Sequence, residues 1–211
     1  MSGLTRTDMR ALVAARKRPL CEKLGDLPFD LQRQLIDFHR RNAQANIVEE
    51  ALKNRSQRRL SVENPDYLSG AYAQIALQIH PDGQSSTANA DRRTFVQPVD
   101  VELVSGVSAL IGPSYRMRIS SLAPGGSIPR HVDDPRQVRV ISLLSGEQIF
   151  DFYQGDKVKT LQMRPGELWL INTAFEHCVH NPGKTPRLAL LANLFAIPNS
   201  ETDTSGLERS A

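Results

Sequence analysis

His131 and Asp133 stand two residues apart in PGGSIPRHVDDPRQVRV, after a glycine-rich bend and before a run that reads as a strand. On an extended strand, residues i and i+2 project from one face, so an imidazole and a carboxylate here could supply two legs of a facial metal site. The third leg has to come from another strand. Two histidines and one carboxylate with open positions are the donor set of non-haem iron(II) oxygenases, leaving room for a bidentate 2-oxo acid and for dioxygen. A surface turn gathers the same residue types merely to keep its backbone wetted, so the pair alone decides nothing.

The run AFEHCVHNPGKTPRLAL offers two further histidines, His177 and His180, of opposite parity, and only one can face the same interior. With His177 inward, Val179 and Asn181 follow it, while Cys178 and His180 point out. Arg187, ten residues after His177, opens the otherwise apolar RLALLANLF. A guanidinium stays charged when desolvated and grips a carboxylate through two parallel hydrogen bonds, which makes Arg187 the candidate anchor for the spare carboxylate of a 2-oxo acid. Arg116 and Arg118 share one face of SYRMRIS; they bind substrate or cosubstrate if that face is interior and form a solvated pair if it is not.

These residues need strands to position them. From about Phe95 onward the chain breaks into short β-like runs, TFVQPVDVELV, SYRMRISSL, RVISLL, EQIFDFY, KTLQM, GELWLI, CVHN and RLALLANLF, separated by APGGS, LLSGE, YQGDK and RPGE. Regularly spaced runs of this kind predict a β-sandwich or barrel. Earlier in the chain, Leu31, Leu35 and Phe38, then Ile47, Ala51 and Leu52, recur at helical spacing, with Asp30 placed to cap. One or two helices are expected over roughly 30–57, after a weaker helical pattern over 5–17. AYAQIALQIH reads as a strand or a short helix. His39 and His80 read as surface residues, Cys178 as a packed thiol and Trp169 as core filler.

The sequence stretch from Arg118 to Leu194, through PGGSIPRHVDD, RVISLL, FDFY and FEHCVHN with Arg187 ten on from His177, resembles the aspartyl/asparaginyl β-hydroxylase family of Fe(II)/2-oxoglutarate-dependent oxygenases, which includes bacterial amino-acid hydroxylases. The resemblance implies a mainly β double-stranded β-helix, a cupin-like jelly roll with an N-terminal helical extension. It implies His131, Asp133 and His177 as Fe(II) ligands, Arg187 on the distal carboxylate of 2-oxoglutarate, and Ser120, Arg139 and Arg118 around the cosubstrate. Asp133 draws the chain toward the bacterial small-molecule branch, because the animal peptide hydroxylases lack a carboxylate two residues after the proximal histidine. Ile141 stands where many relatives carry a histidine.

The expected organisation is a helical extension over 1–94 packed on the barrel, the β-helix oxygenase domain over 95–198, and a flexible tail over 199–211. The expected activity is hydroxylation of an unactivated C–H bond in an amino acid, free or within a peptide, with O2 and 2-oxoglutarate consumed. The rival readings are a non-catalytic cupin-like binding module and a same-fold hydroxylase of a lipid acyl chain. Net charge is +3 in 211 residues, with the excess concentrated near the start and in KNRSQRR. Neither a nucleic-acid motif nor interleaved aromatics accompany it, so no nucleic-acid partner is expected. Two cysteines far apart fit a reducing cytoplasm, and no apolar run approaches the length of a membrane span or signal peptide, so a cytoplasmic protein without a membrane partner is expected.

Overall fold

The computed structural model of the chain describes residues 17–43, 72–83, 92–134 and 137–194. The basic run over 53–59, the tail over 199–211, the helical pattern beyond residue 43 and all but the last residue of that over 5–17 lie outside the described residues. In chain order the elements are β1 (Cys21–Asp26), α1 (Phe29–Asn42), β2 (Tyr72–Ala76), β3 (Gln78–Ile79), β4 (Gln97–Pro98), α2 (Val101–Ile111), β5 (Ser114–Leu122), β6 (Ser127–His131), β7 (Val138–Ser145), β8 (Gln148–Gln154), β9 (Lys157–Met163), β10 (Glu167–Ile171), β11 (Glu176–His180) and β12 (Arg187–Leu194).

Two antiparallel sheets pack into a jelly-roll-like barrel, in keeping with the mainly β class the sequence implies. The larger sheet runs β1-β10-β7-β12-β5-β2 and the smaller β6-β11-β8-β9, with β3 and β4 as a separate pair. Side-chain alternation gives the larger sheet two buried faces. On its outer face Met117, Ile119 and Leu190 pack with Leu35 and Phe38 of α1 and with Leu103 and Val107 of α2. On its inner face Leu122, Ile141, Leu143 and Ala189 meet Phe150, Phe152 and Val179 of the smaller sheet. Among the described residues no helix is long and apolar enough to cross a membrane.

Three local expectations are corrected. The stretch over 1–94 is not simply helical: β1 pairs with β10 and β2 with β5, so both are strands of the main sheet. An edge strand such as β1, mostly exposed, carries too little apolar alternation to stand out in sequence. The run read as TFVQPVDVELV winds into α2, because Leu103, Val104 and Val107 bury at helical spacing and the Asp100 carboxylate accepts the Leu103 N–H at 3.0 Å. Asp30 does not cap α1; it lies in the first turn, after Pro28. Asp100→Ala should therefore cost about 1 kcal/mol in chemical denaturation, whereas Asp30→Ala, on an exposed first turn, should stay within about 0.5 kcal/mol.

Candidate metal centre

Strand pairing brings the separated sequence motifs together. β11 lies antiparallel to β6 with His177 directly opposite His131. The register then slips, since Val179 faces Ile128, so β6 carries one extra residue around Pro129 and Arg130. Proline has no N–H to offer a ladder and suits such a bulge. The bulge lets Ile128 and His131, three apart, both line the interior cavity. Asp133 lies just beyond β6, where its backbone N–H donates to the Thr173 carbonyl at 3.0 Å. Val132 between them is 52% exposed and points away.

The three side chains converge. His131 Nε2 lies 3.9 Å from Asp133 Oδ1, and His177 Nε2 lies 3.9 Å from Asp133 Oδ2. Each imidazole has its Nδ1 against a carbonyl, His131 on Pro129 at 2.6 Å and His177 on Phe175 at 2.8 Å. A carbonyl only accepts, so each Nδ1 carries the proton and each Nε2 lone pair faces the shared centre. His177 stacks on Phe150 with centroids 5.0 Å apart, which fixes its ring plane. Asp133 Oδ2 is buried without a hydrogen bond. Arg139 Nη1 stands 2.7 Å from it as an ion pair, out of line for a hydrogen bond, while Arg139 Nε donates to Asn193 Oδ1 at 3.2 Å.

Two imidazole nitrogens and a carboxylate oxygen, within 4.8 Å of one another, form the donor set of a divalent first-row metal. Asp133 Oδ2, ion-paired with Arg139 but without a hydrogen bond, keeps a lone pair for a cation, so these residues fit a bound divalent metal. Burial alone would raise the Asp133 pKa, but Arg139 above all, then His131, His177 and Arg118, hold it well below the usual carboxylate range. Burial, and next the neighbouring His131, push His177 down to about 4, so it is neutral and free to ligate at physiological pH.

That depressed value has a stability consequence. Between the ordinary histidine value of 6.5 and about 4, the unfolded chain takes up a proton at His177 that the folded chain refuses. Stability of the chelator-treated protein should fall as pH drops across this window, by on the order of 3 kcal/mol at its lower end. Asp133 titrates below the window and adds nothing to it. Denaturation curves over the window should show the loss for wild type and a flatter profile for His177→Asn.

Arg187 reaches the same cavity from β12. Its guanidinium, 2% exposed, donates from Nη1 to Ser120 Oγ at 2.6 Å, and its Nε has no partner. No carboxylate pairs with it among the described residues, and burial pulls its pKa down to about 10. A cavity of about 680 Å³, including its open mouth, joins Arg187 to the triad. Gly146, at φ +80°, lies under this point: a Cβ there would come 2.8 Å from the Pro186 carbonyl, against the backbone that leads into Arg187.

The residues that the resemblance assigns to the metal and the cosubstrate are brought together here. His131, Asp133, His177, Arg187, Arg139 and Arg118 line the cavity, and Ser120 holds Arg187 from behind. Arg116 also lines it, at a left-handed φ of 54° where β5 gains one residue against β12. Sequence reasoning missed Gln74 and Gln148, which also line it beside Tyr72. Their signal was parity: Gln148 alternates with Phe150 in a run already read as a strand, and Gln74 shares parity with Tyr72 once YAQIA is taken as a strand rather than a short helix. His180 points to the other side of the smaller sheet, near Asp151, as parity requires. Asn181 serves the fold: its Nδ2 donates to the Leu122, Ala123 and Thr185 carbonyls.

A family model for the cupin domain matches residues 118–192, about a third of the chain and most of the barrel. Solved structures of similar shape include an oxalate oxidase in complex with glycolate, 19% identical over 61% of this chain and 53% of that one, with a TM-score of 0.40. The chain thus spans about half the length of that relative. A Drosophila melanogaster CENP-C cupin domain is 10% identical over 37% of this chain and 59% of that one, with a TM-score of 0.34. No curated protein matches the sequence. The core is accordingly a cupin domain in fold: a mainly β, jelly-roll-like barrel with a candidate His/Asp metal site inside.

Proposed function

We propose that the protein is an Fe(II)/2-oxoglutarate-dependent dioxygenase that hydroxylates an unactivated C–H bond of an amino acid, free or within a peptide. One observation carries the reading: three ligand atoms, from two imidazoles and a carboxylate, converge in the same cavity as a desolvated arginine that has no carboxylate partner among the described residues. Iron(II) held by His131, Asp133 and His177 would supply the coupling of C–H oxidation by O2 to conversion of 2-oxoglutarate into succinate and CO2.

The chain's own residues bind and orient. His131 and His177 present neutral Nε2 lone pairs whose directions are fixed by the Pro129 and Phe175 carbonyls. Asp133 stays ionised, and Arg139 holds it in place. Arg187, braced by Ser120, is set to grip the far carboxylate of 2-oxoglutarate, and Arg118 adds positive charge near Asp133. Ile128, Phe150, Val179 and Leu191 form an apolar wall that keeps bulk water from the reacting bond. No side chain is asked to act as general acid or base, so positioning is the protein's main contribution. The likeness of FEHCVHN and Arg187 to the hydroxylase pattern supports this reading over a passive binding module, which has no use for a preformed donor set.

The first test is spectroscopic. Anaerobic addition of Fe(II) and then 2-oxoglutarate should give a weak visible metal-to-ligand charge-transfer band that needs both components. Binding of 2-oxoglutarate with equal affinity with and without the metal, and no band, would remove the basis of the proposal.

A further inference from the structure

The outer face of the smaller sheet carries a second set of metal-type donors, independent of the centre above. Alternation along β8 and β11 sends Phe150, Phe152, His177 and Val179 into the barrel and therefore Asp151, Tyr153, Cys178 and His180 to the opposite side. Cys178 sits directly across from Asp151, which in turn sits across from Thr160 on β9. The result is compact: Cys178 Sγ lies 3.0 Å from His180 Nε2 and 3.9 Å from Asp151 Oδ2, and His180 Nε2 lies 3.5 Å from that same oxygen.

The arrangement is not that of a nucleophile relay. In a relay the acid touches the imidazole nitrogen remote from the thiol, whereas here Sγ and Oδ2 approach the same Nε2. In the metal-free chain Cys178 Sγ and His180 Nε2 stand at hydrogen-bond distance, and the three ligand atoms, within 4.8 Å of one another, are close enough to turn onto one cation. Asp151 is also oriented for it: Thr160 Oγ1 donates to Oδ1 at 2.6 Å, which satisfies that oxygen and turns Oδ2 toward Cys178 and His180. Such an outer hydrogen bond commonly fixes a metal-ligating carboxylate. Cys178 is buried, but the His180 side chain is 43% exposed, so the cluster has an open side for entry.

We propose that Asp151, Cys178 and His180 form a second metal site, for a borderline-soft divalent cation of which zinc is the first candidate. Thiolate, imidazole and carboxylate together match zinc's donor preferences, and three protein ligands leave a fourth position for water or for the Tyr153 hydroxyl, 3.2 Å from Cys178 Sγ. On binding, the Cys178 thiol gives up its proton to solvent and no electron is transferred. The site does not rest on the dioxygenase reading. It lies on the back of β11, the strand that carries His177.

Cobalt(II) titration of the full chain distinguishes this site from the interior one, because only the outer site contains sulfur. A thiolate-to-cobalt charge-transfer band in the near ultraviolet should appear at about one equivalent per chain and be displaced by zinc. Cys178→Ser should abolish it. His177→Ala and Cys21→Ser should leave it in place. Thr160→Val should weaken cobalt affinity by roughly ten- to a hundredfold, and Thr160→Ser should restore it. Absence of the band in wild type under conditions where cobalt binds the chain, or its survival in Cys178→Ser, would overturn the proposal.

Discussion

Replacing His177 by Ala should remove the iron-dependent charge-transfer band of the proposed centre, whereas His180→Ala should retain it. Loss of an outer hydrogen-bond partner to a metal ligand already costs about ten- to a hundredfold in affinity, and deletion of one of three protein ligands should exceed that. His177 is 1% exposed, stacked on Phe150 and opposed to His131 across the β6–β11 ladder, so no neighbouring histidine can replace it. His180 lies on the other side of the sheet. Parallel spectra of the two variants with Fe(II) and 2-oxoglutarate check this, with circular dichroism to establish that each is folded. Loss of the band in His180→Ala alone would place the centre on the wrong side of the sheet.

Arg187→Ala should weaken 2-oxoglutarate binding by roughly two to three and a half orders of magnitude while iron affinity changes little. Breaking a desolvated ion pair by removing one partner costs about 3–5 kcal/mol, which at about 1.4 kcal/mol per decade gives that range. Arg187→Lys should recover only part of it, since an ammonium lacks the planar fork that meets a carboxylate with two hydrogen bonds. Calorimetry with the redox-inert zinc-loaded chain measures the change. Unaltered affinity in Arg187→Ala would move the anchor to Arg118 or Arg139.

The mainly β class and the residues that share one cavity could both be read from the sequence, for a physical reason. His131, Asp133, His177 and Arg187 are polar groups placed where a barrel buries them, and strand parity predicts their directions from spacing alone. The bulge in β6 was not legible, yet it decides that Ile128 and His131 share a face. β1 escaped because an edge strand with exposed polar residues lacks an apolar period. α2 was misread because Val101, Val104 and Val107 favour strands by type, while their spacing and the Asp100 cap favour the helix that forms. The outer cluster was invisible for a different reason: Cys178 and His180 show parity in sequence, but only cross-strand register places Asp151 beside them.

The most direct test of the central claim is succinate release. Aerobic incubation with Fe(II), 2-oxoglutarate and a panel of amino acids and peptides should give succinate above the substrate-free rate for at least one compound, with hydroxylated product in equal amount. Asp133→Gly, which removes the anionic ligand, should lose that activity with its circular dichroism unchanged. Succinate formation no greater than in a metal-free control across the whole panel, or full activity in Asp133→Gly, would contradict the assignment of His131, Asp133 and His177 as the iron centre of a dioxygenase.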